Sequence, residues 1–191
     1  YVDYFTSWGK KNRNLISIWG SDKSCGKKIA MHEINRSHLK ILLLLSHPNE
    51  LKVFYSWLRA DRRTSHIATY ICRFYKAGSV REFENIFALM MKEFNCVRES
   101  KERLDEDLKQ CDMVAFCGTS AGPQSVNQGY LGMYIDLNDF LEMNPCFDDL
   151  DAMLPCRSAA EFAYRLNEIR GMDNDSLMRL HQRQLSLVER I

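Results

Sequence analysis

The sequence predicts an α/β domain, a three-layer α/β/α arrangement around a mostly parallel sheet, and three observations carry that expectation. From Leu39 onward, short apolar or β-branched runs alternate with segments whose apolar residues recur at helical spacing. The connections between them are short, and strands joined through intervening helices pair in parallel, with helices on both faces. The first run, LKILLLLS (Leu39–Ser46), is apolar almost throughout instead of alternating, as a strand buried on both faces requires. Such a Rossmann-like sheet is expected to have right-handed crossovers.

Residues 1–38 are the least regular, an N-terminal segment leading into the domain with a candidate strand at 14–20 (NLISIWG). The domain itself is expected over 39–172, followed by an amphipathic C-terminal helix within 173–191. After the first strand, HPNE (His47–Glu50) is expected to break the chain. ELKVFYSWLRA then carries Leu51, Phe54 and Leu58 on one helical face. HIATYICRFYK (His66–Lys76), rich in β-branched and aromatic residues, reads as the next strand. Ser79 and Glu82 form a capping box opening a helix with Val80, Phe83, Phe87, Met90 and Phe94 on one stripe. CVRES (Cys96–Ser100) reads as a short strand, RLDEDLKQ as a short helix with Leu104 and Leu108 inward, and CDMVAFCG as a strand. LGMYIDL (Leu131–Leu137) is the last strand expected. Ser158 and Glu161 make a second capping box before Phe162, Leu166 and Ile169, with Gly171 as the expected stop.

Composition narrows the function classes. At 191 residues, 46% apolar and 11% aromatic, the chain can build the core of one domain or slightly more. A net charge of +1, from 26 basic and 25 acidic residues, gives no electrostatic case for nucleic acid or an anionic membrane. The longest apolar run, Ile41–Leu45, is far too short to span a bilayer, and no secretory signal is visible. A cytoplasmic location is therefore expected. The seven cysteines (Cys25, Cys72, Cys96, Cys111, Cys117, Cys146 and Cys156) include no C-x-x-C, and no histidine pair has zinc-ligand spacing. Reduced, structural cysteines follow from that pattern. The chain begins with Tyr, as expected of a piece of something longer.

In an open parallel sheet, ligands bind at the carboxyl ends of the strands, near the point where strand order reverses. The slots after the strands are 46–50, 73–78, Ser100, 118–124 and 136–139. The richest is CGTSAGPQSVNQGYLG (Cys117–Gly132), where an expected strand runs through Gly118, Thr119, Ser120, Ala121 and Gly122 into an expected helix. Pro123 suits the first helical turn. Free backbone N–H groups, a helix N-terminus and the two hydroxyls would suit an anion. The same residues equally suit a tight βα turn. The pattern is neither G-x-G-x-x-G nor G-x-x-x-x-G-K-[ST]. Arg73 and Lys76 close an earlier strand and would suit the same anion, unless they form a solvated strand end. Ser46 and His47 follow the first strand and would offer polar contacts, although a turn histidine needs no such role. Asp148, Asp149 and Asp151 lack the glycine-turned calcium-loop pattern, so no metal site is expected. No Ser–His–Asp order or G-x-S-x-G elbow is present, and the catalytic residues stay unknown.

The order of elements, and LKQCDMVAFCGTSAGPQSVNQGYLGMYIDL above all, resembles the C-terminal half of bacterial GT-B glycosyltransferases, specifically those making capsule, lipopolysaccharide or other surface polysaccharides. IWGSDKS and ILLLLSHPNE resemble the segment entering that domain and its first strand. The resemblance spans roughly 14–170 and rests on short motifs, with Cys111-Asp112, Gly118-Thr119-Ser120, Leu131-Gly132 and Tyr134-Ile135 at the family's places. It implies a nucleotide-sugar diphosphate held by the Ser/Thr-Gly loop, with Arg73 and Lys76 facing the phosphates and no metal or other cofactor required. Two departures stand out: Asn127 falls where the family's ribose-gripping Glu belongs, and Met133-Tyr134 follow Gly132 where a Pro is usual. The resemblance also implies a separate N-terminal domain for the acceptor. A non-hydrolysing nucleotide-sugar epimerase and a non-catalytic binding or interaction domain remain the alternatives.

Overall fold

The computed structural model describes residues 30–74, 80–137 and 151–189. Lys76, the Ser79 cap, the candidate strand at 14–20, Asp148, Asp149, Cys25 and Cys146 lie outside them. Five strands, β1 (Leu39–Leu45), β2 (Ala68–Phe74), β3 (Val97–Glu99), β4 (Met113–Phe116) and β5 (Leu131–Tyr134), form one sheet in the order β3-β2-β1-β4-β5. Every pairing in it is parallel. The helices are α1 (Pro48–Ala60), α2 (Thr64–Ile67), α3 (Val80–Glu93), α4 (Leu104–Lys109), α5 (Ala121–Val126), α6 (Ala159–Gly171) and α7 (Asn174–Val188). The expected Rossmann-like three-layer fold is the one observed.

The pleat of β1 sorts the core into two clusters, because successive side chains leave a strand on opposite faces. Leu39, Ile41, Leu43 and Leu45 pack with Phe54 and Leu58 of α1, Phe87 of α3 and Phe162 of α6. Leu42 and Leu44 point the other way, into a smaller cluster with Ile71, Val114, Phe116, Leu108 of α4, Val126 of α5 and Leu187 of α7. Each fully buried leucine contributes about 2 kcal/mol through water exclusion, so this single strand anchors both layers.

Several boundaries differ from the sequence reading for local reasons. HPNE does not interrupt the chain but starts α1: His47 is the N-cap, Pro48 opens the first turn, and Glu50 completes a capping box. His66 and Ile67 belong to α2 rather than to β2, in a turn tied by the Thr64 hydroxyl donating to Asp61 O (2.7 Å). β5 ends at Tyr134, beyond which Ile135 forms an isolated parallel bridge with Cys156. Gly171 is helical rather than the stop; Met172 caps α6 in extended conformation, and Asp173 at once N-caps α7 by accepting from Ser176 N–H. At the second expected capping box, Ser158 accepts from Glu161 N–H, while the Glu161 carboxylate takes the Arg157 N–H instead of that of Ser158.

Cys72, Cys111, Cys117 and Cys156 are buried thiols outside any disulfide. Burial pushes Cys111 and Cys156 up to about 12 and Cys72 further, so all three are neutral core groups at pH 7.

Two polar side chains of α7 are buried, and one of them, Gln184, locks the helix to the rest of the fold. Gln184 accepts from Gly132 N–H (2.9 Å) and donates to Gly132 O and Ala152 O (both 2.8 Å), supplying the outer edge of β5 with the partners a sixth strand would give. Gln184→Ala should therefore cost about 3 kcal/mol in urea unfolding, because three buried backbone groups lose their partner. His181 is buried, its Nε2 has no hydrogen-bond partner among the described residues, and its pKa is held below the ordinary value by burial. The unfolded chain then takes up a proton that the folded chain refuses. Stability should be full above about pH 6.5 and fall as the pH drops below it, with a shallower fall in His181→Asn, measured by urea unfolding across pH 5–8.

Candidate functional site

The sheet order reverses between β1 and β4, each of which has its onward chain on a different side. Leu44 pairs with Arg73 on β2 and with Phe116 on β4, so the carboxyl ends of the three strands are level. Ser46, Arg73 and Gly118 all lie at this one edge, as the crevice rule expects.

The chain leaving β4 folds back on itself before α5. Thr119 N–H donates to Cys117 O (2.6 Å), Gly122 N–H to Thr119 O (3.2 Å) and Ala121 N–H to the Thr119 hydroxyl (3.4 Å). Three of the amides expected to face a ligand are thus satisfied within the turn. Gly118 and Thr119 are half-buried, Ser120 is exposed, and Ala121 is half-buried. Gly122 is buried against the Phe116 ring: a Cβ there would stand 2.2 Å from Phe116 Cγ. That close approach, more than turn flexibility, demands glycine. Asn127 caps the end of α5, donating its N–H to Pro123 O (2.9 Å).

Arg73 is the best-anchored charge at this edge. Its Nη1 donates to Asp107 Oδ2 (2.8 Å), to Glu102 O (2.7 Å) and weakly to Ser100 Oγ (3.4 Å). Asp107 is buried on α4 and also accepts from the Ser100 hydroxyl. A cavity of about 460 Å³ opens beside this network, lined by Arg73, Arg103, Leu104, Asp105, Gln124 and Gln128. It joins the end of β2 to the far side of α5. Asp105 lies 3.3 Å from Arg103, so each guanidinium at the cavity has a carboxylate beside it.

Ser46 and His47 are taken up elsewhere. The Ser46 N–H (2.6 Å), the Ser46 hydroxyl (2.7 Å) and the His47 N–H (3.2 Å) all donate to the Glu50 carboxylate, and His47 Nδ1 accepts from Asn49 N–H (3.2 Å). Their geometry is that of a helix cap, not of a ligand contact. Asn127 does not line the cavity; its neighbours Gln124 and Gln128 do. Sequence reading overlooked Asp107, Arg103 and Gln128, while Gln124 closes the 118–124 slot it named. Asp107 was legible in principle: it stands three residues after Leu104, on the inward side of α4. A second cavity of about 590 Å³ lies by residues 32–36 and Asp112, whose carboxylate is already engaged by the Asn35 N–H (3.1 Å) and Lys40 N–H (2.6 Å). No cluster of three metal-ligating side chains occurs among the described residues.

No known protein family and no curated protein matches the sequence, but solved structures share its fold. A trehalose-6-phosphate synthase, OtsA, superposes with a TM-score of 0.57 at 9% identity over 81% of this chain. The UDP-forming α,α-trehalose-phosphate synthase of Burkholderia vietnamiensis gives 0.55 at 7% over 80%, and the starch synthase IV catalytic domain of Arabidopsis thaliana, solved with ADP and acarbose, 0.50 at 14% over 83%. This chain spans 40%, 42% and 36% of those three chains. The Rossmann-like sheet is therefore an arrangement also found within trehalose-phosphate synthases and a starch synthase. No described helix is long and apolar enough to cross a membrane.

Gly122→Ala should destabilise the fold by about 2 kcal/mol in urea unfolding, since the added methyl drives the Phe116 ring out of the smaller core cluster.

Proposed function

We propose that the chain is the nucleotide-sugar-binding part of a glycosyltransferase acting in surface polysaccharide or glycoconjugate synthesis. The observation that carries this reading is the cavity at the carboxyl edge of the sheet, lined by Arg73, by Gln124 of α5 and by Gln128 just after it, in a fold shared with enzymes solved with ADP or a UDP-sugar analogue. In this reading the donor diphosphate lies along Gly118–Gly122, Arg73 offers it a guanidinium edge from where it is held, and Lys76 adds a second charge. Catalysis would consist of stabilising the departing nucleoside diphosphate with pre-oriented donors, a role side chains fill without a metal. The acceptor would come from a further domain.

One observation favours a second reading, a non-catalytic interaction domain on the same fold. Both cavity guanidiniums are matched by carboxylates, and three amides of the 118–122 turn are used internally, leaving less positive potential than a dianion would meet in a dedicated site. The epimerase alternative gains nothing from the geometry, because Glu50 and His47 are occupied in capping α1.

Thermal unfolding separates the two. UDP or ADP at ten times its Kd should add about 1.4 kcal/mol, a rise of about 4 °C in Tm, and Arg73→Ala should abolish the rise. No shift with either nucleotide at millimolar concentration would hand the chain to the interaction-domain reading.

A further inference from the structure

Three acceptors converge on one nitrogen of Arg73. Asp107 Oδ2, Glu102 O and Ser100 Oγ all bond Nη1, and no other bond to the guanidinium is formed among the described residues. Nη1 carries two protons, so these acceptors saturate it. What remains is the side-on edge, Nε–H with one Nη2–H, a pair of parallel donors with the spacing of two oxygens on one phosphate. The Arg73 side chain keeps 31% of its surface while that of Asp107 keeps 3%, so the anchor is buried while Arg73 itself stays accessible and lines the cavity. The anchoring groups come from three places, Ser100 after β3, the Glu102 carbonyl in the β3–α4 connection and Asp107 on α4. Rotation of the guanidinium out of this position would break all three bonds together.

We propose that Asp107 and Ser100 are positioning residues, which fix Arg73 so that its Nε–Nη2 edge alone is offered to a phosphate group of the ligand in the adjoining cavity. The inference rests on the nucleotide-binding reading for the identity of the ligand, but the clamp itself is a property of the free protein. Asp107 acts through Arg73 and touches no ligand. The Ser100 hydroxyl bridges the two by donating to the carboxylate and accepting from the guanidinium. An arginine held this way recognises phosphate by direction rather than by net charge, since Asp107 cancels most of its long-range field.

A double-mutant cycle in calorimetric titration with UDP tests this. Asp107→Asn should weaken UDP about tenfold when Arg73 is present and less than twofold in the Arg73→Ala background, because a freed guanidinium loses its orientation. An equal loss in both backgrounds would make Asp107 a merely structural residue and overturn the proposal. Should Asp107→Asn fail to fold by far-UV circular dichroism, Ser100→Ala carries the same cycle, with a loss of about threefold expected only when Arg73 is present. If the unmodified chain binds neither UDP nor ADP, the nucleotide reading fails, and the clamp is then read from ¹⁵N spectra of the arginine side chains. Separate Nη1 and Nη2 signals for Arg73 that merge in Asp107→Asn would uphold it, and signals already merged in the unmodified chain would refute it.

Discussion

The pairing of β1 with its two neighbours sets the terms for everything else in this protein. All seven of its residues pair with β2, and Ile41–Leu44 pair with β4 on the other side. A parallel strand hydrogen-bonded on both edges and covered on both faces tolerates a polar side chain only at its exposed start, Lys40, hence the apolar run Ile41–Leu45. Its two faces nucleate separate clusters, one against α1, α3 and α6 and one against α4, α5 and α7. Because β1 is where the strand order turns, its register also fixes which chain segments share the crevice. Levelling Arg73 with Leu44 and Phe116 is what brings β2, β4 and their loops to one edge.

The chemistry at that edge is carried by side chains whose own partners are supplied from farther away. Arg73 would be a solvated strand end without Asp107, and Asp107 would be a costly buried carboxylate without Arg73 and Ser100. The turn after β4 is similarly self-contained: its hydroxyl and carbonyl groups spend their bonding on its own amides, and its second glycine serves packing on Phe116. The cavity gains polar character through Gln124 of α5 and Gln128 in the turn just beyond that six-residue helix. At the other end of the sheet, Gln184 of α7 completes the edge strand that follows this turn, so the layer that forms the cavity is held from behind.

The fold was largely legible in the sequence. Strands β1, β3 and β4 and the helices with stripes such as Leu51, Phe54 and Leu58 announce themselves, because burial imposes a period that composition cannot hide. The misplaced boundaries fall where a side chain decides a turn: the HPNE segment looks like a breaker until His47 and Glu50 are seen to cap a helix, and His66-Ile67 look like strand until Thr64 bonds Asp61. The site was legible only as a location. Arg73 stands out because it closes a strand and 118–124 because it follows one, whereas Gln128 and Arg103 carry no local pattern and come to line one cavity with Arg73 only through the sheet.

Sequence by itself therefore determined the layer architecture and the edge at which the chain presents its polar residues, since both follow from hydrophobic periodicity and from the chirality of parallel crossovers. Tertiary structure alone decided what those residues do. It matched Arg73 with a carboxylate 34 positions away, gave Ser46 and His47 to a helix cap, and turned Gly122 toward the Phe116 ring. The physical reason is that periodicity encodes which face of an element is dry, while hydrogen-bond partners depend on distances between elements that no local pattern records.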